Sequence, residues 1–320
     1  MEKIREIFDL RKATGQFGIE VEVEGEGLVP MVYTDKCPWG TEDDGSLRGI
    51  YPTQRCEYVL HKPIPFGRVK PALEVLKECL NKAEKVNFSF RTSIHVHYNV
   101  QEFTPIQTMN FIYTYTLLES ILMNFCGEGR VNNRFCLRVR DAEGIIPILQ
   151  EGFSSDLESF KKLNENNARY SSMNICAIKK YGSIELRGMQ GTDDIERIMT
   201  WITAISNLGA YAQNVENPSQ IYNDFVDSLN KKEFIKKVLP DVWKEFYIDK
   251  LNAEIDLSFS LSIDLPFTYA ACYKQRAEKK GLLSRMVIMD EAVDIEAVED
   301  AIRRRFPRAP VLNPAPGIPN

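Results

Sequence analysis

The sequence has no basic surplus. Its 40 Lys and Arg stand against 45 Asp and Glu, for a net charge of -5 and a pI near 5.5. A protein that coats nucleic acid is normally basic, so bulk nucleic acid is not an expected partner, although a local basic groove remains compatible with these totals. Paired cysteines are lacking as well. The seven, at positions 37, 56, 79, 126, 136, 176 and 272, form no C-x-x-C and their number is odd. This fits reduced thiols in a cytosol better than a disulfide scaffold. There is no uninterrupted apolar run long enough for a membrane: Pro105–Cys126 contains Gln107, Asn110 and Glu119, and reads as a buried helix. Glu119 is expected at a helix end or exposed, without a role. The opening MEKIREIFDLRKATG is charged throughout, so no signal peptide is expected. No G-x4-G-K-[ST] loop and no internal repeat occur. The expectation is a cytoplasmic protein with no membrane partner.

What is present is ordinary in bulk and unusual in detail. The 320 residues are 44% apolar and 27% charged, enough for one large domain or two modest ones. A short amphipathic helix or arm is expected over 1–14. Strands are expected at 17–24, 55–60 and 88–100, with Met31–Tyr33 pairing back as a hairpin and 39–49 a loop turning at Asp44-Gly45. Apolar spacing at Leu73, Leu76, Leu80 and Ala83 predicts a helix over 71–85, and a second helix spans about 105–126. An Arg-rich loop fills 128–144. A strand is expected near 145–149, a helix near 154–163 and a loop over 164–170. Ser171–Ile178 and Ser183–Gly188 read as a hairpin. A helix then runs to about Gln213 from an N-cap at Thr192 or Asp193. Helices are expected near 219–229, 231–238, 240–253, 268–280 and 290–305. The Pro-rich end, FPRAPVLNPAPGIPN, reads as an extended tail. The pattern implies an α+β fold with a curled, mostly antiparallel sheet backed by helices.

Three stretches place charge on one face and apolar groups on the other: FGIEVEVE (17–24), FRTSIHVHYNV (90–100) and SIELRGM (183–189). Side chains alternate along a strand, so Ile19, Val21 and Val23 oppose Glu20, Glu22 and Glu24. Likewise Ile94 and Val96 oppose His95 and His97, and Ile184 and Leu186 oppose Glu185 and Arg187. Like charges two residues apart repel, and Glu is a poor strand former; a cation would relieve both problems. Two imidazoles on one strand face share a space, a familiar metal-binding spacing. Taken singly, each of these groups, and Asp44 and Glu57 with them, reads equally as an exposed polar strand or turn residue.

Their order carries more than any one of them. FGIEVEVE, W-x4-DGSL (Trp39 to Leu47), E-Y-V-x3-P (Glu57 to Pro63), IHVHYNV, NNRFC (132–136) and ARYSSMN followed by SIELRGMQGTDD resemble the amidoligase (carboxylate–amine ligase) branch of the glutamine synthetase and glutamate–cysteine ligase superfamily, often phage- or bacteria-encoded. Ser93 stands where that branch often has Gly. The resemblance runs from Phe17 to about Leu208. It implies a sheet of glutamine-synthetase catalytic type in a catalytic domain of 1–217; outside the resemblance, the residue pattern reads as a helical extension over 218–306 and a tail over 307–320. It implies ATP and two or three Mg2+ or Mn2+ ions as cofactors. One ion would sit on Glu22, Asp44 and Glu57, another on Glu20, His95 and Glu185. His97 would touch a phosphate, and Arg169 and Arg187 would clamp the phosphoryl group. Arg134 would either hold the substrate carboxylate or stand as a solvated loop residue. Imidazole beside hard oxygen ligands makes Mn2+ as fitting as Mg2+.

The function implied is an ATP-dependent ligase that joins a small-molecule or peptide carboxylate to an amine through an acyl phosphate, in the cytoplasm or, if phage-encoded, the host cytoplasm. Two alternatives use the same residues. One is a metal-dependent hydrolase or phosphoesterase. The other is a virion or partner-binding protein that keeps the fold without turnover, with the extension and tail as candidate partner-holding segments.

Overall fold

The alternation read in FGIEVEVE becomes strand β1 (Phe17–Glu26), the centre of the sheet. The computed structural model describes residues 2–131, 133–139, 170–216, 218–227, 231–247 and 255, all within a unit spanning Met1–Ala270. The remaining strands are β2 (Trp39–Glu42), β3 (Arg55–Leu60), β4 (Lys85–Asn87), β5 (Ser93–Asn99), β6 (Met173–Asn174) and β7 (Ser183–Gln190). Their order is β2-β3-β1-β5-β7-β6, with β4 also on β1, and every pairing is antiparallel. Helices among the described residues are α1 (Ile4–Ile7), α2 (Val69–Leu80), α3 (Pro105–Cys126), α4 (Ala177–Tyr181), α5 (Ile195–Asn214), α6 (Pro218–Asp227), α7 (Lys231–Val238) and α8 (Trp243–Phe246). Mixed helix and antiparallel sheet, not closed into a barrel, is the α+β class expected.

One face of the sheet is apolar. Ile19, Val21, Val23, Ile94, Val96, Ile184 and Leu186 are buried in a core shared with the helices. The helix over 105–126 forms as read. Thr104 caps it, accepting from the Gln107 N–H, while the Gln107 side chain accepts from the Thr104 N–H, and Pro105 opens the first turn. It is buried on nearly every side, as expected of a helix apolar all round. Glu119 is a correction: it is 2% exposed, and its carboxylate accepts from the Val139 N–H at 2.9 Å and from the Ser172 hydroxyl. Its partners lie far away in sequence, which local spacing cannot reveal.

Other readings shift for local reasons. WGTE, read as loop, is strand β2; Met31–Tyr33 forms no strand, and the Met31 N–H instead donates to Thr41 Oγ1 at 2.7 Å. Trp39 is fully buried, its indole N–H donating to the Ala72 carbonyl at 2.7 Å. Of the strand read over 88–100 only Ser93–Asn99 forms, as β5; residues 88–92 make a turn in which the Thr92 N–H meets the Ser89 carbonyl, and the short β4 precedes it. In the hairpin read over 171–188, only Met173–Asn174 pairs with β7, and Ala177–Tyr181 is helical. Asp194 caps α5, accepting from the Arg197 N–H at 3.1 Å, in place of Thr192 or Asp193. The first helix is confined to Ile4–Ile7 and α8 to Trp243–Phe246. The elements expected near 145–149, 154–163, 268–280 and 290–305, and the tail, lie outside the described residues. No described helix is long and apolar enough to cross a membrane, and the six described cysteines form no disulfide.

Two glycines let helices close on the strands that carry the polar face. A Cβ on Gly188 would meet the Met123 sulfur at 2.6 Å, and one on Gly209 would meet the Tyr98 hydroxyl at 2.0 Å. Tyr98 points to the core from the same strand that turns His95 and His97 the other way. Gly209→Ala should therefore lower stability by about 1–3 kcal/mol in urea unfolding, because overpacking outweighs the gain in helix propensity of about 1 kcal/mol. Unchanged or raised stability would contradict the close approach.

Candidate metal centre and acidic cleft

Strand register alone gathers the polar groups. Glu22 lies opposite Glu57, and Glu57 opposite Glu42, so three carboxylates run in a row across β1, β3 and β2. Glu20 lies opposite His95, His97 opposite Glu185, and Glu185 opposite Asn174. Beside His95 the ladder slips: this one residue of β5 faces both Arg187 and Gly188 of β7, a bulge that re-aims Arg187. Asp44 arrives from the loop after β2. Its carboxylate accepts from the Ser46 N–H at 2.6 Å, the turn expected of Asp-Gly-Ser. Arg91 donates to the Ser46 carbonyl at 2.8 Å and the Arg48 N–H to Glu24 at 2.7 Å, pinning that loop over β1.

The side chains interlock. Glu20 meets His95 Nδ1 at 3.0 Å with one oxygen and His97 Nε2 at 3.1 Å with the other. His97 Nδ1 is 3.1 Å from the Ser183 hydroxyl. Glu185 accepts from the Asn174 amide at 2.6 Å, is paired with Arg187, and lies 3.6 Å from His95 Nδ1. The Ser93 hydroxyl donates to Glu22 at 2.5 Å and lies 2.8 Å from His95 Nε2. Three groups bring donor atoms within 4.8 Å of one another: Glu22, Asp44 and Glu57; Glu20, Glu57 and His95; Glu20, His97 and Glu185.

Charge is unevenly balanced among them. Burial opposes ionisation of Glu20, but hydrogen bonds and charge from His95 and His97 override it and hold the carboxyl far below its usual range. Burial likewise opposes Glu185, and His95, His97 and Arg187 together keep its acidity strengthened. His97 goes up: its burial is outweighed by Glu20 and Glu185. Glu22 is pushed up by burial, with Asp44 adding repulsion. Glu57 is pushed up to about 8 by burial and by Glu20, Glu22, Asp44 and Glu42. Two like charges 4 Å apart repel by about 4 kcal/mol at an effective dielectric near 20. The Glu22–Asp44–Glu57 corner thus has excess negative charge, and its oxygen donors suit a hard divalent cation such as Mg2+ or Mn2+; imidazole at the neighbouring groups is more at home with Mn2+.

Above the cluster opens a cleft of about 870 Å3, whose lining includes Glu20, Asp44, Glu57, His95, His97, Glu185 and Arg187 and, from β6 and α4 and between them, Asn174, Cys176, Lys179, Lys180 and Tyr181. A smaller pocket of about 280 Å3, floored by Gly18, Ile19 and Val59, joins it at Glu20, His97 and Tyr181. Seven of the residues singled out in the sequence line the cleft, Glu20, Asp44, Glu57, His95, His97, Glu185 and Arg187, and an eighth, Glu22, is buried in a donor group with Asp44 and Glu57. Arg134 does not line the cleft; it is exposed, its guanidinium 4.8 Å from the centre of the Phe135 ring. Arg169 lies outside the described residues. Glu20, His95 and Glu185 are neighbours, and His97 shares a donor group with Glu20 and Glu185. Sequence reading missed Lys179, Lys180 and Tyr181, because it placed the end of a strand and a hairpin turn where α4 forms. The basic pair followed by Tyr was the available signal.

Residues 55–208 match the family described as "Putative amidoligase enzyme". The matched segment carries Glu57, His95, His97, Glu185 and Arg187, and the match supports the amidoligase family that the motifs implied. Glu20, Glu22 and Asp44 precede the matched segment and join it through strand pairing and the pinned loop. No curated protein matches the chain.

The raised acidity constant of Glu57 has a definite sign. Without a cation, the folded protein keeps this proton while the unfolded chain, near 4.5, has lost it. The stabilising contribution is therefore complete below about 4.5 and fades as pH rises through about 8. A divalent ion must displace the proton. Calorimetry of Mn2+ binding at pH 7, in buffers of different ionisation enthalpy, should show release of about one proton, lost in Glu57→Gln. Buffer-independent heats in the native protein would contradict this.

Proposed function

We propose that the protein is an ATP-dependent carboxylate–amine ligase working through an acyl phosphate. The observation that carries the reading is the convergence of five carboxylates, two imidazoles and Arg187 in one cluster at a cleft, largely within a segment that matches the amidoligase family. On this reading the sheet is of glutamine-synthetase catalytic type, the cofactors are ATP with two or three Mg2+ or Mn2+ ions, and the setting is cytoplasmic. The region beyond 217 is a helical extension and tail outside the catalytic domain. The substrates are a small-molecule or peptide carboxylate and an amine.

In the first step a substrate carboxylate oxygen bonds to the terminal phosphorus of ATP and the bond to the bridging oxygen breaks, releasing ADP. In the second, the amine nitrogen bonds to the carbonyl carbon, the carbon–oxygen bond to phosphate breaks, and the nitrogen gives up a proton. Divalent cations would supply charge neutralisation for phosphoryl transfer. Glu22, Asp44 and Glu57 would hold one, and Glu20, His95 and Glu185 another. His97, held by Glu20 and Ser183, is oriented towards the cleft as a phosphate contact. Arg187 presents a planar guanidinium suited to phosphoryl oxygens, and Glu185 fixes its direction. Lys179 and Lys180 bring positive charge to the lining of the same cleft.

The same donor groups would serve a metal-dependent hydrolase, and nucleotide dependence separates the two. Purified protein given ATP, Mn2+ and mixed acids and amines should release ADP only when both acid and amine are present. Glu185→Gln and His95→Ala should each lower that rate by roughly 100-fold or more. Phosphoester hydrolysis without nucleotide, and no ADP under any pairing, would overturn the ligase reading.

A further inference from the structure

Ser93 is 2% exposed on the polar face of β5, two residues from His95, and does not line the cleft. Its hydroxyl sits between two candidate ligands of different ion sites, 2.5 Å from Glu22 and 2.8 Å from His95 Nε2. A hydroxyl has one proton to give. An ionised Glu22 accepts only, so that proton goes to Glu22, and the Ser93 oxygen must accept from His95. His95 therefore carries a proton on Nε2. The other nitrogen, Nδ1, faces Glu20 at 3.0 Å and Glu185 at 3.6 Å, both carboxylates that open to the cleft; without an ion it meets Glu20 through its own N–H, and a bound cation would take the place of that proton.

We infer that Ser93 is a positioning residue that joins the two proposed ion sites: it fixes His95 as an Nδ1 ligand alongside Glu20 and Glu185, and it holds one oxygen of Glu22 so that the other is left for the ion shared with Asp44 and Glu57. This rests on the proposed metal centre and adds to it. A metal-bound histidine commonly donates its remaining N–H to a carboxylate, a carbonyl or water. Here the link runs from His95 through the Ser93 hydroxyl to Glu22, so one buried atom orders donors on both sides. Removing it frees the imidazole to rotate or change tautomer and unpins Glu22 at the same time. The residue serves the two sites together, unlike Asp44 or Glu185, each of which belongs to one donor group.

The test measures binding and not turnover. Mn2+ is titrated into native protein, Ser93→Ala and Ser93→Thr, with free ion followed by electron paramagnetic resonance and folding checked by thermal melting. Native protein should bind Mn2+, Ser93→Ala should bind about 10- to 100-fold more weakly at both sites, and Ser93→Thr, which keeps the hydroxyl, should recover most of the loss. Independently of any variant, nitrogen-15 spectra of histidine in the Mg2+-loaded native protein should show the His95 proton on Nε2. Native protein that binds no Mn2+ would overturn the metal centre itself. Native binding that Ser93→Ala leaves unchanged, or a His95 proton found on Nδ1, would overturn the Ser93 inference while leaving the metal centre standing.

Discussion

The backbone ladder of this sheet forces acidic side chains together. Antiparallel pairing of β1 with β3 and β5 sets Glu22 against Glu57 and Glu20 against His95, and the register cannot slip by one residue without turning Ile19, Val21 and Val23 out of the core. Burial of the apolar face thus fixes the crowding on the polar face. One half of the cluster is neutralised within the protein, by His95, His97 and Arg187 around Glu20 and Glu185. In the other half, His95 lies 3.7 Å from Glu22, yet the three carboxyls of Glu22, Asp44 and Glu57 still crowd one another, and Glu57 retains a proton to limit the repulsion. In the proposed reaction, that asymmetry would draw a divalent ion to the cleft.

The helices serve the same constraint from behind. Tyr98 packs into the space left at Gly209, and Met123 lies over Gly188 beside the bulge that turns Arg187. Arg130, fully buried, donates to the carbonyls of Arg187 and Gly188 and so braces the same bend. Glu119 accepts from Ser172, whose carbonyl takes the N–H of Arg187. Few of these groups touch the cleft, yet together they set the direction of Arg187 and the height of β7 relative to β5.

Much of this was legible in the sequence because it depends on local periodicity. Strict alternation in FGIEVEVE, IHVHYNV and SIELRGM gave the strands, their faces and the site residues they carry. Asp-Gly-Ser gave the turn that delivers Asp44, and the apolar stretch Pro105–Cys126 gave α3. The rest depends on information that spacing does not hold. WGTE is only four residues long and is a strand because Trp39 fills the core and β3 offers an edge. Ala177–Tyr181 sits in an extended pattern and becomes helical between two strands it must connect. Glu119 is buried by partners at Val139 and Ser172. Ser93, visible only as a departure from a Gly, acquires its place through contacts that need Glu22 from a distant strand.

The claim beneath all of this is that cations bridge carboxylates brought from β1, β3, β7 and the Asp44 turn. The most direct measurement is the anomalous scattering of a Mn2+-soaked crystal. The account predicts peaks within coordination distance of Glu22, Asp44 and Glu57 and of Glu20, His95 and Glu185. Peaks confined to other parts of the surface, with the cluster bare at saturating Mn2+, would contradict it.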